Sequence, residues 1–194
     1  MPKKITFSFI LILFLITCAF YGQKKDLSLE KIYSSRTFQP NGFGPIRWLE
    51  DGSGYTTVET SEETGWKDIV KYNLSNNERT VLISAEMFIP KGQEKPLNVR
   101  NYTWSNDGEK LLIFTNTRRV WRYHTRGDYW VLNLKTKKLQ QLGKTLKSTT
   151  LQFAKFSNDS KKAAYVSEQN IYVEDLETNE ITALTTDGSD TIIT

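Results

Sequence analysis

A unit that recurs three times constrains this chain more than any other feature. Ile46-Arg47-Trp48-Leu49-Glu50-Asp51-Gly52 leads into Tyr55-Thr56-Thr57-Val58. Tyr102-Thr103-Trp104-Ser105-Asn106-Asp107-Gly108 leads into Leu111-Leu112-Ile113-Phe114. Phe153-Ala154-Lys155-Phe156-Ser157-Asn158-Asp159-Ser160 leads into Ala163-Ala164-Tyr165-Val166. Each copy is an aromatic residue, an Asp-centred turn and an apolar strand. The aspartates fall at 51, 107 and 159, so the spacings are 56 and 52 residues.

The second half of the unit recurs as well. Asp68-Ile69-Val70-Lys71-Tyr72-Asn73-Leu74 aligns with Asp128-Tyr129-Trp130-Val131-Leu132-Asn133-Leu134 and with Asn170-Ile171-Tyr172-Val173-Glu174-Asp175-Leu176. A polar turn and a last short strand follow each copy. Ile69, Lys71 and Asn73 alternate with Val70, Tyr72 and Leu74, which is the two-residue period of a strand. Asp-Gly supplies the positive φ that tight hairpins need. Four short strands repeating at about 50 residues predict propeller blades. A sandwich accounts for the strands but not for the phased recurrence of Trp48, Trp104 and Phe156. The expected fold class is all-β: about three four-stranded blades of an incomplete β-propeller, because a propeller typically has 4–8 blades. Between the first two blades, Ser84 to Arg100 reads as a connecting loop with at most one helical turn at Ala85-Glu86-Met87-Phe88.

Residues 1–22 read as a signal peptide: Lys3-Lys4, then an apolar run from Ile5 to about Ile16, then polar sequence from Gln23. The expected domains are therefore 1–22, a leader, and 23–194, the propeller portion. Export to the periplasm, the cell envelope or the medium follows. Cys18 is the single cysteine, so no intrachain disulfide forms and the fold rests on its core. Thr17 is large for the residue before a lipid-bearing cysteine, so Cys18 reads as part of the leader and not as an anchor. Of 26 Lys+Arg, two lie in the leader, leaving 24 against 22 Asp+Glu. A net charge of about +2 does not point to nucleic acid.

Catalytic signatures are missing from the sequence. It contains no Gly-x-Ser-x-Gly elbow and one histidine, His124, and it has no His/Cys cluster and no phosphate loop. No cofactor or metal is expected, and no residue of this chain is assigned a catalytic role.

One segment departs from the repeat. In the third unit the second and third strands are joined by Ser167-Glu168-Gln169, whereas in the second the connection runs from Thr115 to Gly127. This predicts a long hairpin arm. Strict alternation would put Trp121, Tyr123 and Arg119 on one face and Arg122, Val120, His124 and Arg118 on the other. On one reading Trp121 and Tyr123 pack down and support Arg122, whose planar guanidinium suits carboxylates and peptide carbonyls. On another the arm is a solvated basic hairpin. Contact with nucleic acid is a third reading, disfavoured by export.

Arg118-Arg119-Val120-Trp121-Arg122, running on into Thr125-Arg126-Gly127-Asp128-Tyr129-Trp130-Val131, resembles the N-terminal propeller of dipeptidyl peptidase IV-like enzymes of the prolyl oligopeptidase superfamily. Tyr102 to Phe114 and Ile181 to Gly188 are similar to the same family. The resemblance implies an eight-bladed propeller capping an α/β-hydrolase domain with a Ser-Asp-His triad. It implies peptide substrates with a penultimate proline or alanine, from which dipeptides or tripeptides are removed, and homodimers are among the assemblies it allows. In the family an arginine of a Trp-Arg pair contacts the peptide near its N-terminus, and Trp121-Arg122 matches that pair. The family's glutamate pair, the remaining blades and the hydrolase domain have no counterpart in these residues. The chain thus reads as the opening portion of a serine-type peptidase, truncated before its catalytic domain and inactive alone. The alternative is a non-catalytic envelope propeller acting as a binding module.

Overall fold

The computed structural model describes residues 27–38, 42 and 44–192. The leader expected over 1–22 lies outside the described residues. Among these residues no helix is long and apolar enough to cross a membrane. The chain divides into two units, Met1–Gly42 and Phe43–Thr194. In the first, the helix α1 (Leu29–Tyr33) begins at Ser28, whose hydroxyl caps the Lys31 amide, and a 3-10 turn follows at Arg36–Phe38.

The second unit holds three four-stranded antiparallel sheets, each strand beside its neighbour in sequence. Blade 1 is β1 (Arg47–Trp48), β2 (Gly54–Thr60), β3 (Lys67–Asn73) and β4 (Arg79–Ile83). Blade 2 is β5 (Asn101–Trp104), β6 (Lys110–Val120), β7 (Tyr123–Asn133) and β8 (Leu139–Gln141). Blade 3 is β9 (Gln152–Phe156), β10 (Lys162–Ser167), β11 (Asn170–Asp175) and β12 (Ile181–Ala183). The threefold repeat read from the sequence is thus three blades. The helical turn expected at Ala85–Phe88 is a 3-10 turn capped by Ser84, and its fully buried Phe88 anchors the connection.

The repeat is built at the turns. Gly52, Gly108 and Ser160 share one position in the first hairpin, with φ of 67°, 68° and 58°. Glycine adopts this left-handed conformation without steric cost, and Ser160 adopts it under restraint. In blades 2 and 3 a serine braces the turn. Ser105 Oγ donates to Asp107 Oδ1 at 2.6 Å and accepts from the Lys110 amide at 2.9 Å. Ser157 does the same with Asp159 and Lys162. The Ser105 hydroxyl is the main reason that the Asp107 carboxyl is held down at about 2.

One cross-strand row runs through every blade. In blade 1 it is Trp48–Tyr55–Tyr72–Arg79, in blade 2 Trp104–Leu111–Leu132–Leu139, and in blade 3 Phe156–Ala163–Glu174–Ile181. The blade 2 row packs on Val58, Ile69 and Ile83 of blade 1. The other face of blade 2, with Leu112, Phe114, Tyr129 and Val131, packs on Ala163 and Tyr165 of blade 3. β6 is therefore buried on both sides, which is why Leu111-Leu112-Ile113-Phe114 is an unbroken apolar run. Burying each of these side chains contributes about 1.5–3 kcal/mol.

Polar groups inside the two interfaces are bonded across them. Tyr102 Oη donates to Thr56 Oγ1 at 2.7 Å, and Trp104 Nε1 reaches the same oxygen at 3.2 Å. Glu174, 2% exposed, accepts from Tyr165 Oη and from the Gly143 amide, each at 2.8 Å. Another position also recurs. The polar residue that opens the third-strand motif binds a backbone N–H of the segment leaving the blade: Asp68 to Ala85 at 2.8 Å, Asp128 to Thr149 at 2.6 Å and Asn170 to Gly188 at 2.9 Å.

Candidate functional site: the blade 2 arm

β6 and β7, eleven residues each, extend together beyond the body of blade 2. Pairing is regular from Lys110↔Asn133 to Thr115↔Asp128, then resumes at Arg118↔Arg126, Arg119↔His124 and Val120↔Tyr123. Two bulges explain the shifts. One extra residue sits on β6 near Asn116, at φ 45°, and one on β7 at Thr125. They compensate each other, so the arm leaves the blade at a bend and continues as a ladder. The tip is the two-residue turn Trp121-Arg122, with Trp121 at φ 59°. Two-residue hairpins favour positive φ at this place because it matches the strand twist.

The root of the arm is tied down on both sides. Gly127 and Leu151 exchange backbone hydrogen bonds of 3.0 and 3.1 Å, joining the arm to the blade 2–3 connection. Buried Asp128 accepts from Asn116 Nδ2 at 2.7 Å, from Ser148 Oγ and from the Thr149 amide. Glycine is required at 127: a Cβ there would lie 2.5 Å from Phe114 Cε2 and 2.7 Å from the Thr115 carbonyl oxygen. Phe114 is stacked on Tyr129 at a centroid distance of 4.6 Å, so it has little room to yield.

Nearer the tip, Thr117 Oγ1 is hydrogen-bonded to His124 Nδ1 at 2.8 Å, and Arg119 Nε donates to the Trp121 carbonyl at 3.1 Å. Arg119 thus braces the turn. Arg122 is exposed and makes no hydrogen bond or ion pair among the described residues. Its guanidinium stands at the end of a braced arm that also carries Arg118, Arg119 and Arg126 and no carboxylate beyond Asp128. Such a tip can donate paired hydrogen bonds to a carboxylate or to carbonyl oxygens.

Two expectations from the sequence need correction. The turn at Trp121-Arg122 and the bulge at Thr125 break the alternation, so Val120 lies opposite Tyr123 and Arg119 opposite His124. Cross-strand partners share a face, and the grouping of Tyr123 with Arg119 against Val120 and His124 fails. Nor do the aromatics pack down: Trp121 is 93% and Tyr123 73% exposed. Within this chain they do not support Arg122. Braces from Arg119 and the Asp128 hub do that instead. No sequence signal assigns Asn116 or Gly127 a role at the root of the arm, although the recurrence of a polar residue at 68, 128 and 170 marks Asp128. Among the described residues there is no group of His, Cys, Asp and Glu fit to hold a metal.

Residues 105–194, which include the whole arm, match the model of the dipeptidyl peptidase IV (DPP IV) N-terminal region. Dipeptidyl aminopeptidase B of Saccharomyces cerevisiae is 30% identical over 161 residues, 81% of this chain and 19% of that protein. A probable dipeptidyl-aminopeptidase B of Penicillium rubens is 28% identical over 176 residues, 87% of this chain and 19% of that protein. This chain therefore spans about a fifth of the length of the curated relatives it matches. The crystal structure of Porphyromonas gingivalis dipeptidyl peptidase 4 superposes with a TM-score of 0.69 at 24% identity, over 85% of this chain and 22% of that one, and shows the same fold. The three blades and these matches together support a dipeptidyl peptidase IV-like N-terminal propeller portion.

Proposed function

We propose that the chain provides the substrate-gating propeller portion of an exported serine-type dipeptidyl or tripeptidyl peptidase. In this reading the arm holds the N-terminal part of a peptide with a penultimate proline or alanine. The observation that carries it is the state of Arg122: an uncommitted guanidinium at a tip braced by Arg119 and rooted through Asp128. Peptide carbonyls near a free N-terminus are acceptors of the kind its planar fork serves. Bond cleavage belongs to a hydrolase domain of the whole protein, consistent with relatives of which this chain covers 19%. The leader read over 1–22 supports action in the periplasm or outside the cell.

The test is the complete product of the gene, assayed with Xaa-Pro p-nitroanilides. Dipeptide release that a serine-directed fluorophosphonate abolishes supports the reading. A product that is folded and exported yet cleaves no such substrate contradicts it and leaves a binding module.

A further inference from the structure

A concavity lies between blades 1 and 2, at the end of the sheets opposite the arm. Successive hairpins of an antiparallel sheet alternate ends, and this groove is bordered by the first-hairpin turns Leu49–Glu50 and Ser105–Gly108. Its volume is about 820 Å³. Sites for small molecules occupy about 300–1,000 Å³.

The walls are complementary in kind. Ile83 and Lys71 come from blade 1, Trp104 and Leu134 from blade 2, and Met87 from the 3-10 turn between the blades. Trp104 is fixed, because its indole nitrogen donates to Thr56 Oγ1. The groove carries three cationic side chains, Arg47, Lys71 and Lys137, and two carboxylates, Glu50 and Asp107, with Lys137 exposed at its edge. Arg47 is committed to the carbonyls of Tyr102 and Ile46 and to Asn101 Oδ1. Asp107 is committed to Ser105, to the Glu109 amide and to Lys110. Glu50 is exposed on the rim. Lys71 and Lys137 line the groove and make no hydrogen bond or ion pair among the described residues, though Lys71 lies within the field of Asp51.

From this we infer a ligand site between blades 1 and 2 for an apolar carboxylate: a ring or short acyl chain against Trp104, Leu134 and Ile83, with its anion between Lys71 and Lys137. Burial of the apolar part against a preformed wall supplies affinity, and the two ammonium groups supply orientation. The site is separate from the arm and does not depend on the function proposed for Arg122.

The probe is decanoate, competed against anilinonaphthalene sulfonate, a fluorescent aromatic anion, on the full chain. Saturable binding of one dye per chain, displaced by decanoate and not by decanol, is expected. Lys71→Glu and Lys137→Glu should each weaken decanoate binding about tenfold, the loss of one charge-assisted contact. Neither should alter the thermal transition. Lys144→Glu, an exposed lysine outside the groove, should leave binding unchanged. Dye binding that ignores both groove substitutions, equal displacement by decanol, or an equal loss in Lys144→Glu would overturn the assignment.

Discussion

The carboxylate of Asp128 lies 2.6 Å from the backbone nitrogen of Thr149, twenty-one residues further along the chain. The other carboxylate oxygen lies 2.7 Å from Nδ2 of Asn116, at the bulge where the arm leaves blade 2. One buried side chain therefore joins the root of the arm to the connection that leads to blade 3. Asp128→Ala removes the acceptor and strands these donors. We expect a loss of about 3 kcal/mol in urea unfolding, typical of a buried charge-assisted bond broken on one side. Amide exchange from Tyr123 to Arg126 should quicken more than in blade 3. Unchanged exchange in the arm of a folded variant would show that Asp128 does not hold it.

Gly127 makes a steric prediction at the same root. The Cβ of an alanine would meet Phe114 and the Thr115 carbonyl at 2.5 and 2.7 Å. Backbone and a stacked ring are poor candidates for adjustment, so Gly127→Ala should cost roughly 1–3 kcal/mol. A variant as stable as the parent in chemical denaturation would mean that the root is looser than described.

Much of this molecule was legible in its sequence, and the exceptions have physical causes. Trp48, Trp104 and Phe156 marked the blades because each occupies the same cross-strand row. The arm was legible as an insertion between two strands of known phase. The faces of its residues were not, because a two-residue turn and the bulges near Asn116 and at Thr125 reset the alternation. The Asp128 hub was hidden for another reason: its partners, Asn116, Ser148 and Thr149, are distant in sequence and ordinary in type.

Glu174 sets a pH dependence. Burial raises its carboxyl above the ordinary range, opposed by the Gly143 amide and the Tyr165 hydroxyl. Its folded form holds the proton more tightly than the unfolded chain does. Its contribution to stability is therefore complete below the ordinary carboxylate pKa and is lost as pH rises through the raised value. Asp107, Asp159 and Asp175, held low by hydrogen bonds, act in the opposite sense and lose theirs as pH falls. The stability of Glu174→Gln relative to wild type should therefore improve as pH rises above the ordinary carboxylate range. A difference that does not change with pH would remove Glu174 as a titrating group in the blade 2–3 interface.

The face of blade 1 turned away from blade 2 makes a prediction about association. Its row, Trp48–Tyr55–Tyr72–Arg79, occupies the position that packs on the preceding blade in blades 2 and 3, yet Trp48 is 65% exposed. Blades bury both faces against neighbours, so this face should drive concentration-dependent self-association of the isolated chain. Trp48→Lys should shift sedimentation toward the monomer. A wild-type chain that stays monomeric at all accessible concentrations would contradict this.

The most direct test of the functional account is the effect of Arg122→Ala on cleavage of Xaa-Pro p-nitroanilides by the complete enzyme. Charge-assisted hydrogen bonds contribute about 1.5–3 kcal/mol, so kcat/KM should fall roughly 10- to 150-fold. Arg122→Lys should recover part of this, because an ammonium lacks the planar fork. Arg119→Ala, which removes only the brace on the Trp121 carbonyl, should cost less. Thermal melting controls for loss of packing by the arginine stem. A folded Arg122→Ala enzyme that cleaves these substrates as well as wild type would contradict the account and leave the arm a structural hairpin.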